Sequence, residues 1–95
     1  MSNFIKQPNE KYPISIDYSA VLNESETISS REVIGYLGDT DVTAIIIDSS
    51  SISGDDILVV VKAGDAGNTY KITVRATTSD GNVYEKDVEM YVNED

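Results

Sequence analysis

The stretch Tyr70-Lys71-Ile72-Thr73-Val74-Arg75-Ala76-Thr77-Thr78-Ser79-Asp80-Gly81-Asn82-Val83-Tyr84-Glu85-Lys86-Asp87-Val88-Glu89-Met90-Tyr91-Val92 decides the fold. Tyr70, Ile72, Val74 and Ala76 stand at every second position, and Tyr84, Val88, Met90 and Val92 keep the same parity after the Ser79-Asp80-Gly81-Asn82 turn. Successive side chains of a strand point to opposite faces, so each run gathers its apolar set on one side. An Asp-Gly pair between two such runs is the strongest short-range hairpin signal. These residues predict two long antiparallel strands packed on a core by one face.

Working back from the hairpin, the same period of two recurs. Tyr12, Ile14, Ile16 and Tyr18 share one side of a first strand, with Ser15 and Asp17 opposite, and Pro13 implies an edge position because proline cannot donate to a ladder. After a polar link over 23–26, Ile28, Val33, Ile34 and Tyr36 mark a second strand whose broken alternation suggests a bulge near Arg31 and Glu32. Val42 to Asp48, with three isoleucines in succession, reads as a strand covered on both faces or one whose outer face meets something else, ended by Asp48-Ser49-Ser50-Ser51. Ile52 follows as a core plug, and Gly54-Asp55 turns the chain into Ile57 to Lys62. The expected fold is all-β: an immunoglobulin-like β-sandwich of six to seven antiparallel strands, with a small open barrel as the alternative. Residues 1–95 form one domain, of which 1–10 read as a flexible N-terminal tail and 93–95 as a short polar end.

Composition restricts the chemistry. The 95 residues hold no histidine and no cysteine, which excludes imidazole general bases, thiol nucleophiles, zinc fingers and Ser-His-Asp triads. Seventeen acidic against seven scattered basic residues give a net charge of −10, which disfavours nucleic acid and anionic membranes as partners. The longest apolar run, Ala44 to Ile47, is far shorter than the roughly 20 residues of a membrane helix, and the first eleven residues have no signal-peptide centre, so synthesis in the cytoplasm is expected.

Three kinds of site remain to weigh. Asp39, Asp41, Asp55, Asp56, Asp65 and Asp80 fall in predicted turns, where aspartate bonds its own backbone; calcium held by such loops is the alternative. Neither carboxylate pairs such as Glu24 with Glu26, nor the serine runs, have the surroundings of a catalytic site, so no catalytic residue, cofactor or metal is assigned. Binding surfaces are left: the outward sides of Val42 to Asp48 and Ile57 to Val61 are more apolar than a solvated face requires. Tyr36, Ile46, Leu58 and Val60 are the candidate partner contacts, docking being expected through strand edges and loops.

The order Asp17-Tyr18-Ser19-Ala20-Val21-Leu22, Glu26-Thr27-Ile28-Ser29-Ser30, Asp48-Ser49-Ser50-Ser51-Ile52, then Tyr70-x-Ile72-x-Val74 and Thr77-Thr78-Ser79-Asp80-Gly81, resembles small virion structural proteins of tailed bacteriophages and prophages, of the fiber-tail adaptor, tail or head-decoration type. The resemblance runs from about Lys6 to Val92, with Tyr18 where tryptophan is about as common. It implies an immunoglobulin-like sandwich, a non-enzymatic role in the virion, and other virion proteins of head, neck, tail or fiber as partners, with a ring of identical copies as one arrangement. The second reading is a calcium-assisted adhesion or carbohydrate-binding module.

Overall fold

A computed structural model of the chain describes residues 2–94. Nine elements follow in order: β1 (Ser2–Lys6), β2 (Tyr12–Asp17), β3 (Ile28–Leu37), β4 (Thr40–Asp41), α1 (Thr43–Ile46), β5 (Ile47–Ser53), β6 (Asp56–Val61), β7 (Thr69–Thr78) and β8 (Val83–Val92). They form two packed sheets, a five-stranded one in the order β1-β8-β7-β3-β4 and a three-stranded one in the order β2-β6-β5. The all-β sandwich expected from the sequence is what forms, and the sheets do not join into a barrel.

The β7–β8 hairpin is the frame of the larger sheet. Its register sets Tyr70 opposite Met90 and Ile72 opposite Val88. Gly81, at a φ of +83°, closes the turn, and its N–H donates to the Thr78 carbonyl at 3.0 Å. In the smaller sheet Ile14 faces Val59 and Ile16 faces Ile57. The inner faces of both sheets merge in one core with Tyr18, Ile28 and Ile46. β2 is an edge strand, as Pro13 implied, with Pro13, Ser15 and Asp17 exposed.

Four expectations are corrected. The 1–10 tail contains a strand: β1 pairs with β8, parallel rather than antiparallel, from Ser2 opposite Val88 to Lys6 opposite Val92. Lys6 explains the missed element. Its side chain is fully buried, and its ammonium donates to the carbonyls of Ala63 (2.6 Å), Gln7 (2.7 Å) and Pro8 (3.2 Å). Met1, and Asp95 of the expected C-terminal end, lie outside the described residues. The strand count is therefore eight, β1 and the two-residue β4 being the short ones.

The Val42–Asp48 strand is broken by one helical turn, α1. The Asp41 carboxylate accepts from the Thr43 N–H (2.9 Å) and hydroxyl (2.6 Å), which curls the chain where the isoleucines alone favour extension. The Asp48 to Ser51 segment, read as a strand end, instead runs through β5, with Ser49, Ser50 and Ser51 opposite Val60, Val59 and Leu58. The bulge of β3 lies between Ile28 and Ser30, not at Arg31 and Glu32. That shift sends Arg31 towards β5, where its guanidinium bonds the Ser50 hydroxyl (2.9 Å) and carbonyl (2.6 Å).

At the hairpin end, a carboxylate holds the long β2–β3 connection. Glu26 is buried and accepts from the Asn23 N–H (2.8 Å), the Thr78 hydroxyl (2.5 Å) and the Asn82 amide (2.9 Å). These bonds, the backbone N–H of Asn23 first and the Thr78 hydroxyl next, hold its pKa below the ordinary 4.5. A depressed carboxylate stabilises the fold above its unfolded pKa, and that contribution is lost as pH falls through the folded value. The melting temperature is expected to fall on acidification below about pH 5, and to fall less in Glu26→Gln. Thermal unfolding of both proteins across the acid range checks this; parallel curves would remove Glu26 from the account.

Candidate functional site

The four residues singled out in the sequence do not come together. Ile46 is fully buried and is corrected from surface contact to core: it fills the space beside Gly35, where an added Cβ would lie 2.6 Å from its Cδ1. Tyr36 is half-buried on the outer face of the five-stranded sheet, with the Lys71 ammonium 5.2 Å from its ring centre. Leu58 and Val60 are half-buried on the opposite side of the molecule, at the centre of the three-stranded sheet's outer face.

The two outer faces differ in kind. On the larger sheet, Arg75 links Glu85 (2.8 Å) with Glu32, and the Thr73 hydroxyl donates to Asp87 at 2.8 Å, so charge runs across the strands. This is a solvated face. On the smaller sheet, β6 alternates Ile57, Val59 and Val61 inward with Asp56, Leu58 and Val60 outward. Register sets Pro13 and Ser49 on either side of Val60, and Ser15 and Ser51 on either side of Leu58. The centre of that face is aliphatic, its flanks are small and uncharged, and charge is confined to its two ends, Asp17 and Asp56 at one and Asp48 with Lys11 and Lys62 at the other. Interface centres are depleted of charge in the same way.

A second feature was not foreseen, because it needs the strand hidden in the supposed tail. Where β2 and β8 part, an open groove of about 740 Å³ is lined by Phe4, Ile14, Ile16 and Val88, with Asp17 and Lys86 among its polar groups. The Phe4 and Tyr12 rings meet edge to face beside it, 6.2 Å apart. The signal available in the sequence was the adjacent pair Phe4 and Ile5, too short to stand out from a polar neighbourhood.

All seven cations are engaged within the chain. Lys6 and Arg31 bond carbonyls, Lys71 covers Tyr36, and Arg75 bridges two glutamates. Lys11 and Lys62 approach Asp48 at 3.3 and 4.0 Å. Lys86 donates to the Asp17 carbonyl at 2.6 Å with its ammonium 5.3 Å from the Tyr18 ring centre. Several of the surplus carboxylates sit in turns or at strand ends. Asp17 accepts from the Ser19 N–H at 2.7 Å, the main reason its pKa is lowered, and Asp41 is lowered first by the Thr43 hydroxyl. Among the described residues no three carboxylates gather closely enough to hold a metal ion.

Compared with known families, residues 6–91 match the one described as Podophage GP4 fiber-tail adaptor protein gp77. No curated protein matches the sequence.

Proposed function

The chain belongs to the podophage GP4 fiber-tail adaptor protein gp77 family, and from that membership we propose that it docks onto a neighbouring virion protein through the outer face of its three-stranded sheet. The family is one of structural adaptors, not enzymes, and its members are virion components. The observation that carries the docking mode is the pair Leu58 and Val60, side by side at the uncharged centre of a face whose opposite counterpart is crossed at its centre by ion pairs. An aliphatic centre with a small polar border buries without stranding a charge, whereas the Glu32–Arg75–Glu85 array would have to be desolvated. Tyr36, the end loops and the free strand edges supply further contacts. Copies arranged as a ring about the tail complete the reading, each presenting the same face in turn.

Leu58→Asp is expected to abolish incorporation into particles while the far-ultraviolet circular dichroism stays native, since the side chain stands on the outer face. Mass spectrometry of purified particles measures this against the major capsid protein, and the wild-type ratio should be a fixed copy number per particle. Ser51→Arg, on the exposed border of the same face, blocks docking by bulk without touching the core, and keeps the test valid if Leu58→Asp fails to fold. Particles that hold the folded variants at wild-type level would overturn the proposal.

A further inference from the structure

We propose that the groove between β2 and β8 seats an extended strand of a partner virion protein, with alternating apolar and basic residues, which adds to the open edge of β8. The inference rests on the adaptor reading and gives it a second contact, separate from the Leu58 face. β8 has ten residues, but β1 pairs only with Val88 to Val92. Among the described residues no strand pairs with Val83 to Asp87 on that side. Unpaired N–H and C=O groups along such an edge are a template for another strand.

What lies beside the edge specifies the occupant. The groove falls within the roughly 300–1,000 Å³ of ordinary binding clefts, and Phe4, Ile14, Ile16 and Val88 give it an apolar floor. In a strand laid along Val83 to Asp87, residues level with Tyr84 and Lys86 point to the groove side, and those level with Glu85 and Asp87 point to the solvated face. The first set should be apolar. The second should be lysine or arginine: on that face Asp87 accepts from the Thr73 hydroxyl and, among the described residues, is in no ion pair. The nearby cation, Lys86, is already engaged by the Asp17 carbonyl and the Tyr18 ring.

A second copy of this chain is the poorer occupant. Two β8 edges brought together would oppose Glu85 and Asp87 to their own counterparts, and a charged residue facing inward from an edge, as Lys86 does, is a known guard against self-pairing. The same carboxylates that repel a copy attract a basic strand.

The test is a titration of the isotope-labelled full chain with a blocked hexapeptide of alternating valine and lysine, and with its valine–glutamate counterpart. The lysine peptide is expected to shift the amides from Val83 to Val88 and to slow their hydrogen exchange, with binding weakened by salt; the glutamate peptide should do neither. Asp87→Lys should weaken binding roughly fivefold, and Ser15→Lys, on exposed β2 across the groove, does the same service if Asp87→Lys is unfolded. Shifts scattered over the acidic loops without protection at Val83 to Asp87, or displacement of β1 from Val88 to Val92, would overturn the inference. Leu58→Asp separates the two readings: it should leave peptide binding unchanged. Loss of particle incorporation in that variant, with no strand added at β8, would sink the groove alone.

Discussion

Tyr18→Ala is expected to destabilise the protein by about 3–5 kcal/mol, the usual range for deleting a large buried aromatic. Domains of this size hold about 5–15 kcal/mol in all, so the variant should lose a large fraction of its stability and melt well below the wild type. Tyr18 is fully buried at the point where β2 leaves the smaller sheet, and its hydroxyl donates to the Val74 carbonyl, 2.5 Å away, in the larger one. One side chain thus ties the two layers together. Its N–H donates to the Asp55 carbonyl at 2.9 Å, fixing the β5–β6 turn beside it. Tyr18→Phe keeps the ring and leaves the Val74 carbonyl without that donor, a loss of about 1–2 kcal/mol. Burial, and then the charges of Glu85 and Asp87, push the phenol from 10.0 up to about 12. A raised phenol pKa stabilises the fold fully below the unfolded value, and the contribution disappears as pH rises from 10 towards 12. Urea unfolding of the three proteins at neutral and alkaline pH measures both effects. A wild type whose stability follows that of Tyr18→Phe across this range would show that the buried phenol is not what titrates.

Lys6→Ala should loosen β1 while the two-layer core persists. The substitution strands three carbonyls in a water-poor site at once; hydrogen bonds to a charged donor contribute about 1.5–3 kcal/mol each, and the desolvation of the buried ammonium offsets part of their sum, so a net loss of about 3 kcal/mol is expected. Burial lowers the pKa of the ammonium, with the nearby Glu10 acting in the opposite sense. The methylene stem packs where an aliphatic residue would, and Lys6→Met is expected to recover the packing but not the carbonyls. Amide hydrogen exchange distinguishes the outcomes: Phe4 to Lys6 and their partners along Met90 to Val92 should lose protection, whereas Ile72 and Val74 of β7 should keep it. Uniform loss across β7 would mean that Lys6 supports the whole sandwich rather than its edge.

The same two residues show what the sequence could and could not disclose. Tyr18 was legible because it completes the alternation of Tyr12, Ile14 and Ile16, and alternation is a local property. The β7–β8 hairpin was legible for the same reason, with Asp80-Gly81 marking its turn. Lys6 was not, because a lysine reads as solvent-facing unless one knows that Ala63, far along the chain, presents a carbonyl to it. Ile46 failed in the opposite way: its β-branched neighbours argued for a strand, and the Asp41–Thr43 bonds that turn the chain outweighed them. Of the proposed docking surface, Leu58 and Val60 were readable from the parity of β6, but the groove at β8 required the position of β1, which no local pattern announces.

The parallel pairing of β1 with β8 also fixes an order of events in biosynthesis. Ser2 to Lys6 leave the ribosome more than eighty residues ahead of their partners, Val88 to Val92. Closing so long a loop carries a large entropic penalty until the intervening strands are already in place. The sandwich must therefore mature from its hairpin outward, with β1 zipping down last. A nascent chain stalled before Val88 would carry Phe4 to Lys6 with no strand to pair with, and would be read by proteases and chaperones as unfinished.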